Sequence, residues 1–195
     1  MPERHSALAD APVPERHEPP GTAAARVVLQ ELKALSIVQV DAFDNAKMFA
    51  AMETLCPGLP PVSCNLSTVH DDIRTLGIGP QRWLVVAPES KEVPVRIIGR
   101  ISADVAAITD VSHGRTVVRV SGRNVRRMLA KMCIVDLDAR AFGPCRCAQT
   151  LFGQTVVVLD AIAVDVIDVY FNRSFAASAW EMLFDAAAEY GFSVV

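Results

Sequence analysis

No excess of basic residues marks this chain. Its 19 Lys and Arg against 22 Asp and Glu leave a net charge of −3, which supplies no footprint for nucleic acid. Long apolar runs are missing too. None approaches the roughly 18–20 uninterrupted residues that a spanning helix needs, so no membrane insertion is expected. The first residues include acids and prolines where a secretory signal carries a continuous apolar stretch. The 5 cysteines are therefore expected as reduced thiols of a cytoplasmic protein. Close cysteine spacing is scarce. Only Cys145 and Cys147 lie near each other, and one intervening residue is too tight for a usual zinc pair. On a strand the two would share a face, and buried thiols acting as small hydrophobes are the expectation. No Gly-x-Ser-x-Gly elbow is present. No Gly-x-Gly-x-x-Gly opens a helix after a strand either.

What the chain does have is apolar residues, 51% of the total, slightly above the usual ~45–50%. A chain of this length buries roughly 70% of its unfolded surface, so it needs no staples. The surplus fits a well-filled core or apolar surface reserved for a partner. Residues 1–25 read as a disordered, solvated tail, with Pro-Glu-Arg-His at residues 2–5 and again at 14–17. His5 and His17 belong to that tail. Residues 26–195 read as one domain.

Within it, residues 34–40 predict a strand. Asp44 is placed to cap a helix reaching Leu55, with Met48, Met52 and Leu55 along one face. Gly77, Gly79 and Pro80 predict a turn, and residues 83–87 a buried strand. Pro94 opens a helical stretch that ends before Asp110. A strand through Val117 and Arg119 follows, then a helix over 123–131. Residues 146–152 and 155–159 predict a hairpin closed by Gly153-Gln154. Another strand covers 164–171. The last helix is capped by Ser174, carries Ala176, Trp180, Leu183, Ala187 and Tyr190 on one face, and stops at Gly191. Strands and helices mix without regular βαβ alternation, which predicts an α+β fold with antiparallel sheets and packed helices.

The densest chemistry lies in Asp110-Val111-Ser112-His113-Gly114-Arg115. If this segment is extended, Ser112 and His113 face opposite sides, which argues against a local triad. Arg115 and Arg119 share a face of a regular strand. They are suited to grip a carboxylate, either a partner's or one of this chain such as Asp110 or Asp136. His70 and His113 lack metal-ligand spacing and are expected to be structural. Trp83 and Trp180 are expected in the core.

Several segments together resemble the gamma subunit of heterotetrameric sarcosine oxidase. They are Gly79-Pro80-Gln81-Arg82-Trp83-Leu84, the Asp110–Arg115 run, Arg119-Val120-Ser121-Gly122, Cys147-Ala148-Gln149-Thr150 and Arg173-Ser174-Phe175-Ala176. The resemblance covers residues 76–184, and more weakly from 34. It departs at Met132-Cys133-Ile134-Val135-Asp136-Leu137, where the family usually has Gly-Cys-Pro-Leu-Asp-Leu.

The resemblance implies a fold like the folate-binding aminomethyltransferase (T-protein) domain. It implies a small, non-catalytic subunit beside alpha, beta and delta partners. FAD, covalent FMN and NAD would sit on alpha and beta, zinc on delta, with tetrahydrofolate taking up the one-carbon unit. That complex oxidises sarcosine to glycine and hydrogen peroxide. No catalytic, cofactor-binding or metal-binding residue is expected on this chain. His113, Arg115, Arg119, Arg173, Trp83 and Trp180 are the expected interface or structural residues. The alternatives are a complex acting on another N-methyl amino acid, such as N-methylglutamate, and a free-standing folate-binding module.

Overall fold

The computed structural model describes residues 5–11, 27–55 and 63–195. In chain order the elements are strands β1 (Val27–Leu32) and β2 (Leu35–Ala42), helix α1 (Asn45–Leu55), and strands β3 (Ser67–His70), β4 (Ile73–Gly79) and β5 (Arg82–Pro88). Helix α2 (Val93–Ile97), strand β6 (Ala106–Asp110), strand β7 (Arg115–Ser121) and helix α3 (Val125–Leu129) follow. Strands β8 (Cys147–Phe152), β9 (Thr155–Ala163) and β10 (Val166–Asn172), helix α4 (Ala176–Ala188) and strand β11 (Phe192–Val194) complete the chain. The α+β expectation with antiparallel pairing holds.

Where the sequence suggested one domain, contacts divide the chain into two compact units. The first takes residues up to Lys33, Gly114–Pro144 and Gln149–Val195, and the second takes Ala34–His113 and Cys145–Ala148.

The first unit is built on a six-stranded sheet in the order β11-β1-β7-β10-β9-β8. β1 runs parallel to β11, while β1/β7, β7/β10 and β10/β9 are antiparallel. One face carries Leu29, Val118, Val120, Val169, Phe171 and Leu159, all buried. Alternation along each strand puts these side chains on the same side. Helix α4 packs on β10, burying Trp180, Leu183, Phe184 and Ala187. Phe184 stacks on Phe192, and Phe152 meets Phe171 edge-on with centroids 5.4 Å apart.

The second unit is built on a five-stranded sheet in the order β3-β4-β5-β2-β6, antiparallel throughout. Met48 and Met52 of α1, with Val93 and Ile97 of α2, join Val38, Val40, Trp83 and Val85 in one core. Asp44 starts α1 as expected: its carboxylate accepts from the Lys47 amide at 3.1 Å.

Several expectations are corrected. The helix at Pro94 ends at Ile97, and Gly99 takes a left-handed φ of 77°. Residues 106–110 form β6 instead, which pairs with β2 and sets Ile108 opposite Val40. Gly77 is not in a turn but inside β4, beside a register shift. A β-carbon there would come within 2.5 Å of the Ser63 carbonyl oxygen, so the backbone approach needs Gly. The turn falls at Pro80-Gln81, with Gln81 at φ 57°. Ser174 does not cap α4. It lies in a 3-10 turn over Arg173–Phe175, and Phe175 holds the N-cap position without a side-chain bond. Tyr190 lies past the helix end, and Gly191 adopts φ 74° as expected.

The early residues are also less solvated than composition suggested. Leu8 is buried, the Ser6 hydroxyl donates to the Glu31 carboxylate, and the Leu8 amide donates to Ser6 Oγ at 2.8 Å. The Ala11 amide also donates to the Leu8 carbonyl at 3.1 Å, closing a local turn. His17 and the second Pro-Glu-Arg-His lie outside the described residues.

The four cysteines among the described residues separate by burial. Cys133 and Cys147 are buried, while Cys64 and Cys145 are exposed. Cys145 precedes β8 with φ 64°, so the expected shared face with Cys147 is not formed. The Cys147 thiol donates to the Leu66 carbonyl at 3.1 Å. Burial pushes the Cys133 thiol up to about 12, so it stays protonated at pH 8. Brief iodoacetamide treatment at pH 8 should therefore alkylate Cys64 and Cys145, and reach Cys133 and Cys147 only after unfolding. Equal labelling of Cys64, Cys133, Cys145 and Cys147 in the folded protein would contradict this packing.

Candidate functional site

The Asp110–Arg115 run is a chain turn rather than a reactive constellation. β6 ends at Asp110, a 3-10 turn spans Ser112–Gly114, and β7 begins at Arg115. The Asp110 carboxylate accepts from the Ser112 amide at 2.9 Å and from the Ser112 hydroxyl. The Ser112 hydroxyl oxygen in turn accepts from the buried Ile37 amide of β2 at 2.8 Å. Both functions of the hydroxyl are therefore engaged within the second unit. His113 points to the exposed side of the turn.

This geometry makes Ser112 a bracket between β6 and β2, not a nucleophile. Ser112→Ala leaves the Ile37 N–H without that acceptor in a buried position, which should cost about 1–3 kcal/mol. The denaturation midpoint of the variant measures it. Unchanged stability of the variant would contradict this bracing role.

Arg119 of β7 sits in a polar row across the first unit's sheet. Cross-strand pairing aligns Gln30 of β1, Arg119, Asp168 of β10 and Asp160 of β9. Residues directly opposite in neighbouring strands share a face. Arg119 grips Asp168 with two hydrogen bonds, Nε to Oδ1 at 2.7 Å and Nη2 to Oδ2 at 2.8 Å. The Asp168 side chain is 3% exposed and that of Arg119 35%. The bonds to Asp168 raise the Arg119 pKa above its ordinary value. The intramolecular carboxylate is thus Asp168, not Asp110 or Asp136.

Arg115 shares the same face of β7, as its spacing predicted. Its Nη1 donates to Asn172 Oδ1 at 2.6 Å, and burial lowers its pKa from the ordinary value. Arg173 donates to the His5 carbonyl at 2.8 Å. Trp83 lies in the second unit's core, edge-on to Phe49 with centroids 5.5 Å apart. Trp180 lies in the first unit's core, edge-on to Phe184 at 4.8 Å. Its indole nitrogen has no hydrogen-bond partner among the described residues. The six residues singled out from the sequence thus divide between the units; Arg115 and Arg119 share a face of β7 but hold different partners, Asn172 and Asp168.

Two features escaped sequence reasoning. Arg126 of α3 donates Nε to the Val164 carbonyl at 2.6 Å, and Nη1 to the carbonyls of Leu137 and Phe142 at 2.8 and 2.7 Å. It ties the loop at 137–142 to the β9–β10 turn. Its place off the apolar stripe of α3 gave no sign of this, because backbone carbonyls leave no mark in a sequence. Asp160 and Asp168 did leave one: each is a single acid inside an otherwise apolar strand, and buried acids are rare unless paired. Among the described residues no group of three or more His, Cys, Asp or Glu is arranged to hold a metal ion. No helix among them is long and apolar enough to cross a membrane.

These two sheets with their packed helices define an α+β fold of the aminomethyltransferase kind. Glycine cleavage system aminomethyltransferase T from Bartonella henselae superposes with a TM-score of 0.61 and 13% identity, over 88% of this chain and 48% of that one. A chain of the heterotetrameric sarcosine oxidase from Corynebacterium sp. U-96, in complex with pyrrole 2-carboxylate, superposes with a TM-score of 0.83. The match has 21% identity and covers 96% of each chain.

The chain belongs to the sarcosine oxidase, gamma subunit family, whose model matches residues 39–189. Sarcosine oxidase subunit gamma of Corynebacterium sp. (strain P-1) is 28% identical over 171 residues, which cover 87% of this chain and 84% of that protein.

Proposed function

We propose that this chain is the gamma subunit of a heterotetrameric sarcosine oxidase and works there as a non-catalytic assembly subunit. The observation that carries the reading is the family match, which runs through both compact units. The use of Asp110 and Ser112 as structural brackets supports the non-catalytic part.

In this reading the partners are alpha, beta and delta subunits in the cytoplasm. They carry FAD, FMN, NAD and zinc, and this chain carries none of them. The complex oxidises the N-methyl group of sarcosine, passing the electrons to oxygen as hydrogen peroxide and the one-carbon unit to tetrahydrofolate as the methylene form. Arg119 and Asp168 keep the first unit's sheet in register. Arg115 and Arg173 brace its surface through Asn172 and His5. Trp83 and Trp180 fill the two cores, and His113 marks the crossing from one unit to the other.

Steady-state turnover of the purified complex tests the substrate. Sarcosine should be oxidised in preference to N-methylglutamate, and the isolated chain should neither turn over sarcosine nor bind tetrahydrofolate tightly. Preference for N-methylglutamate would replace the substrate. Tight folate binding by the isolated chain would replace the assembly role with a folate-binding one.

A further inference from the structure

Burial divides the methionines of the described residues into two sets. Met48, Met52 and Met128 are at most 1% exposed, whereas Met132 and Met182 are partly exposed. A thioether has no proton to lose before it reacts, so access of the oxidant decides which of these sulfurs is attacked. Met132 and Met182 share that access. Both line a surface groove of about 320 Å³ in the first unit, together with Lys131, Asp185 and Ala186. Lys131 is held there by Glu189 at 2.8 Å and by the Ala186 carbonyl at 3.0 Å.

The same two side chains support the tip of the β8–β9 hairpin. Their methyl groups converge on Gly153. A β-carbon on that residue would collide with Met182 Cε and lie 3.7 Å from Met132 Cε. The Gly153 amide donates to the Met132 carbonyl at 2.9 Å, and the next residue, Cys133, bridges Phe152 of β8. The tip is thus held by one backbone bond to Met132 and covered by the Met182 methyl. Sulfoxidation turns a flexible apolar side chain into a polar, chiral one. An oxidised Met182 is drawn toward the water of the groove and uncovers Gly153.

We infer that Met132 and Met182 are a modification site: hydrogen peroxide released by the oxidase converts their thioethers to sulfoxides and loosens the hairpin tip. The inference rests on the sarcosine oxidase reading, which supplies the oxidant. In the reaction a sulfur lone pair takes one peroxide oxygen and the O–O bond breaks. The sulfur is oxidised and the peroxide reduced by the same electron pair. The proton on the transferred oxygen passes through solvent to the departing hydroxide, which leaves as water.

The test uses the assembled complex during turnover of sarcosine, with and without catalase, followed by peptide mass spectrometry. Met132 and Met182 should gain one oxygen atom roughly tenfold or more faster than Met48, Met52 and Met128, and catalase should prevent it. Equal oxidation of all these methionines overturns the inference and leaves the oxidase reading intact. So does unmodified Met132 and Met182 while peroxide accumulates. A complex that makes no peroxide from sarcosine overturns both.

The structural consequence has its own readout in the full chain treated with reagent hydrogen peroxide. Hydrogen exchange at the Gly153 amide should speed up roughly tenfold. It should keep the untreated rate in the double variant Met132→Leu with Met182→Leu, which conserves volume and removes the sulfurs. If the double variant melts below wild type, Met182→Leu alone carries the comparison. Exchange that oxidation leaves unchanged, or speeds equally in the variant, overturns the loosening of the tip.

Discussion

Arg119→Ala should destabilise the protein by about 3–5 kcal/mol. Asp168 is the reason. Its carboxylate is almost wholly buried, and both its oxygens accept from the one guanidinium. Truncation leaves that carboxylate without its counter-ion, with Asp160 directly opposite on the neighbouring strand. A second buried carboxyl so near makes an uncompensated charge costlier still.

The loss should come from the stranded acid rather than from the missing attraction, since desolvation offsets most of what a buried pair gains. Replacing both partners, Arg119→Met with Asp168→Leu, should therefore recover much of the stability. Denaturant titration of the three proteins measures this. A single variant as stable as wild type would contradict the assignment of Arg119 to fold maintenance. A double variant no better than Arg119→Ala would contradict the electrostatic cause.

Trp83→Ala carries an expected cost of the same size, about 3–5 kcal/mol. Trp83 is 4% exposed on β5 and packs against Val40, Met48, Met52, Thr75 and Val85. Those neighbours leave no space for a water beside it, so the indole itself fills the layer between α1 and the sheet. Removing it opens a void that the β-sheet backbone cannot close. Trp83→Phe keeps an aromatic ring for Phe49 to meet edge-on and should recover most of the loss. The alternative role for Trp83 is ligand stacking. That role would appear as lost turnover of the assembled oxidase with an unchanged melting temperature, which the packing account does not allow.

Elements specified by local chemistry were legible in the sequence. Asp44 before a Met48/Met52 stripe marked α1, Gly153-Gln154 between apolar runs marked the β8–β9 hairpin, and Gly191 marked the stop after α4. Strand β6 was not legible. Its Ala-Ala-Ile-Thr core is short and weakly patterned, and only pairing with β2 makes it a strand. Gly77 showed that glycine was needed but not why, because the need is the approach of the Ser63 backbone and not a turn.

The candidate residues follow the same division. Shared-face spacing placed Arg115 and Arg119 on one face of β7. Their partners were hidden, since Asp168 lies 49 residues away and is brought opposite by strand register. The spacing spoke against Ser112 as a nucleophile but not for its bracing role, because its partner, the Ile37 amide, is a backbone group 75 residues away. The resemblance to a gamma subunit had the opposite character. It rested on the order of many short segments, and no single tertiary contact was needed to see it.

The central claim is that this chain exists to be part of a larger oxidase. The most direct measurement is to tag it in its own cell, purify it gently, and record the native mass and visible spectrum of what accompanies it. The account predicts a yellow assembly with larger flavin-bearing chains that turns over sarcosine. A colourless protein with the mass of this chain alone would contradict it.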